Sequence, residues 1–115
     1  MFLGLAHSKL DVYNIASDLV LECYHLMELL PLEERYNLVQ QIKRAALSVK
    51  LNIAEGASHK TIRERKRFFE ISRSSVAELD AAFEMCVKLG FLQNDKLKKV
   101  AQLIVRCYQM LSKMT

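Results

Sequence analysis

The stretch Asp11-Val12-Tyr13-Asn14-Ile15-Ala16-Ser17-Asp18-Leu19-Val20-Leu21-Glu22-Cys23-Tyr24-His25-Leu26-Met27-Glu28-Leu29-Leu30-Pro31 sets Val12, Ala16, Leu19, Cys23, Leu26 and Leu30 at alternating four- and three-residue spacing. One apolar seam of about 3.5-residue period is the signature of a helix packed along its length against others. Just before it, Ser8-Lys9-Leu10-Asp11 has the form of a capping box, with Ser8 capping the backbone and Asp11 reaching back. Pro31 stops the helix, because it lacks a backbone N–H and restricts Leu30. The same proline opens the next helix, where Glu33 and Glu34 suit the positive helix start.

Working outward, the second helix has two seams, Leu38, Ile42, Ala45, Val49 and Asn52 beside Val39, Ala46 and Ile53. A face this wide contacts more than one neighbour, and Gly56 reads as its C-terminal stop. Thr61-Ile62-Arg63-Glu64 is a second capping box, which starts a third helix near Ile62. Its core positions are Phe68 or Phe69, Ser72, Ser75, Val76, Leu79, Phe83 and Cys86, and Gly90 ends it. Asn94 and Asp95 start a fourth helix, with core positions Leu97, Val100 or Ala101, Ile104, Cys107 or Tyr108, and Leu111. The expected helices cover about 9–30, 32–56, 62–89 and 94–113 of a single domain over 1–115. Connections this short force neighbours antiparallel. The expected fold is all-α, an up-down-up-down four-helix bundle, with the second helix's surplus apolar face buried in a ring-like homo-oligomer.

Composition excludes the other classes. One proline and three glycines in 115 residues are too few for the turns of a β-sandwich or barrel. A hydrophobic content of 51% is too high for disorder. No apolar run is long enough to span a membrane. The apolar start Met1-Phe2-Leu3-Gly4-Leu5-Ala6 lacks a basic leader and reads as a partly ordered arm. Cys23, Cys86 and Cys107 are odd in number, far apart and set among apolar residues, so they read as buried free thiols in a reducing compartment, the cytoplasm.

Catalytic patterns are weak. A di-iron bundle needs Glu-x-x-His twice; Glu22-Cys23-Tyr24-His25 supplies it once, and its two ends lie on different sides of the helix. His7, His25 and His59 sit near segment ends or on exposed faces, and no glycine-rich phosphate loop or Gly-x-Ser-x-Gly occurs. The adjacent Glu33 and Glu34 point apart on a helix. No enzyme, metal or cofactor is expected.

Two other features stand out. Ser48, Asn52, Glu55, Ser75 and Glu78, with Ser72 and Ser74 beside them, place polar groups in or beside the seams of the second and third helices. Buried polar groups need partners, so a network between these helices is expected, with Arg73 as counter-charge for Glu55 or Glu78. Between Arg35 and Arg73, ten Lys and Arg face three acids, a surplus of seven, whereas the remainder holds seven Lys and Arg against ten acids. The candidate nucleic-acid contacts are Lys43, Arg44, Lys50, Lys60, Arg63, Lys66, Arg67 and Arg73. Lys60, Arg63, Lys66, Arg67 and Arg73 fall within about half the wheel of the third helix. Such a stripe repels itself unless it faces a polyanion. No aromatic platform interleaves these charges, so phosphate contact is expected rather than base stacking.

Two blocks carry a resemblance: Gln41-Ile42-Lys43-Arg44-Ala45-Ala46-Leu47-Ser48-Val49-Lys50-Leu51-Asn52-Ile53-Ala54-Glu55-Gly56 and Phe68-Phe69-Glu70-Ile71-Ser72-Arg73-Ser74-Ser75-Val76-Ala77-Glu78-Leu79. In this order they resemble the bacterial 23S rRNA intervening-sequence proteins, a four-helix-bundle family that includes the accessory variability protein of diversity-generating retroelements. The resemblance spans about Leu10 to Leu111. It implies a non-enzymatic homopentamer with a basic surface, and for retroelement members RNA binding and a reverse transcriptase partner. The family often has proline where this chain has Lys50, which keeps the helical hydrogen bond and adds a charge. The resulting expectation is an oligomeric protein that contacts structured RNA through phosphates. The alternative is a homo-oligomeric protein-interaction scaffold whose basic stripe is only solvated.

Overall fold

The computed structural model describes the backbone of residues 1–115 and every side chain except that of Lys9. Four helices, α1 (Asp11–Met27), α2 (Leu38–Ser58), α3 (Ile62–Lys88) and α4 (Lys98–Ser112), form an all-α four-helix bundle, with no strand among the described residues. α1 packs on α2 and α4, α3 packs on α2 and α4, and the α2–α3 contact is the most extensive. The molecule measures 44 × 28 × 22 Å.

The expected seams form the core. Val12, Ala16, Leu19, Cys23, Leu26 and Leu30 are all buried, joined by Ile15 and Met27. They meet Ile42, Ala45, Ala46, Val49 and Ile53 of α2, Phe69, Val76, Leu79, Phe83 and Cys86 of α3, and Val100, Ile104, Cys107 and Leu111 of α4. Phe69 takes the core place while Phe68 is half-buried, and Ala101 and Tyr108 stay exposed. The three cysteines are free and buried. Burial pushes the Cys23 thiol up to about 12, with Glu22 and Cys107 adding to it. The same cause raises Cys107 to about 11 against the pull of Arg106 and moves Cys86 upward, with Glu34 adding.

Several boundaries differ from expectation. Ser8 does not cap α1: it belongs to a single 3-10 turn, Ala6–Lys9, and its hydroxyl donates to the Leu5 carbonyl at 2.7 Å. α1 ends at Met27, because Pro31 cannot donate to the Met27 carbonyl. The N–H of Leu30 takes that carbonyl instead, at 3.3 Å, and tightens the last residues into a turn. Pro31 opens only a 3-10 turn, Leu32–Glu34. Asn37 then leaves helical geometry, its side chain donating to Glu34 Oε1 at 3.1 Å, so α2 begins at Leu38 rather than near 32. α2 runs unbroken through Lys50 and Gly56 to Ser58. Asn94–Lys96 is likewise a 3-10 turn, and α4 begins at Lys98 without a side-chain cap.

Gly56 is therefore not a stop. A Cβ there would lie 2.8 Å from Phe69 Cε1 and 3.1 Å from the Arg65 carbonyl oxygen, so glycine is what lets α3 approach α2 this closely. Gly90 does end its helix: its φ of +80° lets the N–H groups of Phe91 and Leu92 both reach the Cys86 carbonyl, at 2.9 and 3.3 Å.

Candidate nucleic-acid interface

The N-terminal turns of α3 are positioned by Thr61, whose hydroxyl accepts the Glu64 N–H at 3.2 Å. The Glu64 side chain does not close the capping box. It lies 2.7 Å from His59 Nδ1 instead. Because Phe69, Ser72 and Val76 turn inward, Arg63, Lys66 and Arg67 face solvent. They line a broad open groove with Thr61, Glu64 and Glu70. Lys60, in the turn before, is also exposed.

Among the described residues no Lys or Arg has a carboxylate within 4.0 Å; the carboxylates that come this near a basic side chain are those beside His59, Glu64 at 2.7 Å and Glu55 at 3.8 Å. The cations of this groove are thus exposed and without a close carboxylate partner, although Glu64 and Glu70 share its lining. That is the arrangement in which a mobile polyanion gains most, since no internal pair has to be broken.

The eight candidate cations do not form one surface. Arg73 turns away to α4, half-buried, with Nη1 donating to Thr115 Oγ1 at 3.3 Å and its guanidinium 5.8 Å from the Tyr108 ring. Lys43 and Lys50 lie on the α1 side of α2, with Nζ 4.7 Å from the Tyr24 ring and 5.0 Å from the Tyr13 ring. Arg44 is exposed on the outer side of the same helix. Arg67 approaches Phe68, at 6.0 Å. The expectation that no aromatic residues accompany the cations therefore fails. The rings come from α1 and α4, or stand immediately beside the cation on α3, which a count along the basic stripe overlooks.

The polar network is smaller than expected. Ser75 donates to Ser48 Oγ across the α2–α3 contact at 2.8 Å. Asn52 donates to the Ser48 carbonyl and hydroxyl, at 2.9 and 3.0 Å. Ser72, fully buried, donates to the Val49 carbonyl at 2.7 Å. Glu55 and Arg73 take no part, and Glu78 bridges α2 and α3 only at the surface, apart from the serine and asparagine cluster. Glu55 is exposed and Glu78 accepts from Gln41 at 2.8 Å on the surface. A pairing of Arg73 with either glutamate is ruled out by its position on the α4 flank of α3. Glu22 is half-buried and His25 exposed, and among the described residues no three His, Cys, Asp or Glu side chains converge as a metal site.

His59 is the residue that sequence reading missed. Its ring stacks on Phe68 with centroids 4.7 Å apart and planes 11° apart. Its carbonyl accepts Arg65 Nε at 2.6 Å, which ties the turn to the first turn of α3.

A family model, that of the 23S rRNA-intervening sequence protein, matches residues 8–113. The chain belongs to this family. Within the 23S rRNA-intervening sequence proteins, its fold is similar to that of a solved protein of unknown function from the S23 ribosomal protein family of Bacteroides thetaiotaomicron VPI-5482. That likeness has a TM-score of 0.82 at 14% identity and covers 90% of this chain and 96% of the other. No curated protein matches the chain. Among the described residues no helix is long and apolar enough to cross a membrane.

Proposed function

We propose that this family member is a non-enzymatic, oligomeric nucleic-acid-associated protein that holds structured RNA by its phosphates. The observation that carries this reading is the groove of Arg63, Lys66 and Arg67, exposed and without a carboxylate partner within 4.0 Å. The local surplus of seven positive charges between Arg35 and Arg73 supports it further, as does the rRNA in the family's name. Lys60 extends the groove, Lys43 and Lys50 add a second basic face beside α1, and Arg44 stands apart on the outer side of α2.

Assembly is part of the proposal. Leu21, Leu47 and Leu51 are 69%, 38% and 59% exposed, an apolar surface on α1 and α2 suited to a neighbouring subunit. A homopentamer in the cytoplasm is the form the family resemblance implies, with a reverse transcriptase as partner where the gene accompanies a retroelement. A ring repeats the groove around its axis, so weak phosphate contacts add through effective concentration.

Light scattering at micromolar concentration and anisotropy binding to a structured RNA at low salt test the two parts. A stable monomer refutes the assembly. Absence of RNA binding at low salt refutes the nucleic-acid reading and leaves the scaffold.

A further inference from the structure

The α2–α3 turn carries an arrangement that phosphate binding does not need. The His59 and Phe68 rings are nearly parallel, 4.7 Å apart between centroids. His59 Nδ1 lies 2.7 Å from Glu64 Oε2, at hydrogen-bond distance, which orients the ring, and its Nε2 is 3.8 Å from Glu55 Oε1. One ring face is on Phe68 and both nitrogen edges face acids. Phe68 is the ring stacked on His59, no second ring is stacked on His59 among the described residues, and 31% of the side chain remains exposed. Arg65 Nε, 2.6 Å from the His59 carbonyl, fixes the backbone beneath. Below the stack, the Phe69 ring fills the space left by Gly56. Exposed Lys60, Arg63 and Arg67 surround the turn, and Arg67 lies 6.0 Å from the Phe68 ring.

A flat, immobilised ring beside free cations matches the chemistry of an unpaired nucleotide, whose base stacks while its phosphate meets a cation. We infer that the His59–Phe68 stack is a docking platform for an unpaired RNA base, which lies on the face of His59 opposite Phe68 and continues the stack. This rests on the phosphate reading above and adds to it a preference for loops or bulges over fully paired stems. Stacking reads the π-face that every base has, so the platform selects unpaired nucleotides without selecting a sequence. Its worth is about 5- to 150-fold in affinity per base.

The test compares an RNA hairpin bearing 2-aminopurine in its unpaired loop with a blunt duplex of the same stem. The wild-type protein binds the loop RNA at least about five-fold more tightly, and binding changes the 2-aminopurine fluorescence as stacking does. His59→Leu keeps an apolar side chain against Phe68 but has no ring to offer; it loses the preference and the fluorescence change while keeping the duplex affinity. His59→Phe retains both. Phe68→Leu, which removes the supporting ring, lowers the preference and guards against a His59 variant that fails to fold. Equal affinity of the wild type for both RNAs, or a preference that survives His59→Leu, overturns the platform and leaves the phosphate reading standing. Binding of neither RNA at low salt overturns both.

Discussion

Gly56→Ala isolates the contact that positions the basic end of α3. Two effects oppose each other. In the last turn of α2, alanine is better than glycine by at most about 0.5–1 kcal/mol, the helix-interior figure, because it loses less backbone freedom on folding. The new Cβ, however, meets Phe69 Cε1 at 2.8 Å, Phe69 Cδ1 at 3.0 Å and the Arg65 carbonyl oxygen at 3.1 Å, well inside the ~3.5–4.0 Å of an ordinary carbon contact. Phe69 is only 7% exposed and cannot swing aside, and the Arg65 oxygen belongs to α3 backbone. Overpacking of this kind costs about 1–3 kcal/mol, which outweighs that gain over most of its range and leaves a net loss of up to about 2.5 kcal/mol. At a mid-range loss of about 1 kcal/mol, a domain of this size melts roughly 4 °C lower. The assay is thermal unfolding followed by circular dichroism at one fixed protein concentration, since assembly shifts apparent stability. Phe69→Leu made together with Gly56→Ala relieves the clash, so the combined cost falls below the sum of the single ones. A Gly56→Ala protein that melts at or above the wild-type temperature refutes the close-approach argument and restores glycine as an accident of α2.

Other outcomes follow from the same structure. Ser72→Ala removes a buried hydrogen bond to the Val49 carbonyl and costs about 1 kcal/mol by urea unfolding, no more, because the carbonyl keeps its place in the α2 ladder. Glu55→Ala, at an exposed site whose ion contact is His59 at 3.8 Å, leaves stability within about 0.5 kcal/mol; a clear drop in Tm would put Glu55 back into a buried network. Burial raises the thiol of Cys23 to about 12 and that of Cys107 to about 11, so the folded state holds protons that the unfolded chain releases. Their stabilisation is complete below pH ~9 and is lost as pH rises toward those values, by about 1.4 kcal/mol per pH unit for each thiol. Denaturant titrations at pH 8 and pH 10 measure this, and Cys23→Ala flattens the slope.

The bundle was legible because its evidence is local. The α1 seam recurs at helical spacing in Val12, Ala16, Leu19, Cys23, Leu26 and Leu30, and every one of these is buried. Thr61 and Gly90 also act locally, and each sits at the helix end its chemistry suits. What sequence could not resolve depends on partners far along the chain. Gly56 reads as a stop until Phe69 is seen pressed against it. Arg73 reads as a partner for Glu55 or Glu78 until α4 offers Tyr108 and Thr115. Lys43 and Lys50 read as cations without an aromatic platform until α1 brings Tyr24 and Tyr13 to them. His59 and Phe68 lie nine residues apart, on either side of a turn whose path their spacing does not disclose. The Pro31 boundary failed for another reason: proline marks where a helix cannot continue, and the chain had already tightened into a turn after Met27.

The central claim is that Arg63, Lys66 and Arg67 meet phosphates, and the salt dependence of RNA affinity tests it most directly. Each neutralised phosphate contributes about −0.7 to the slope of log affinity against log salt on single strands. Replacing all three residues by glutamine removes up to three contacts per subunit without touching the core. The triple variant is expected to keep its Tm, to bind structured RNA more weakly and to a similar degree whatever its sequence, and to have a slope shallower by about 2 per engaged subunit. An unchanged affinity and slope in a folded variant would contradict that claim.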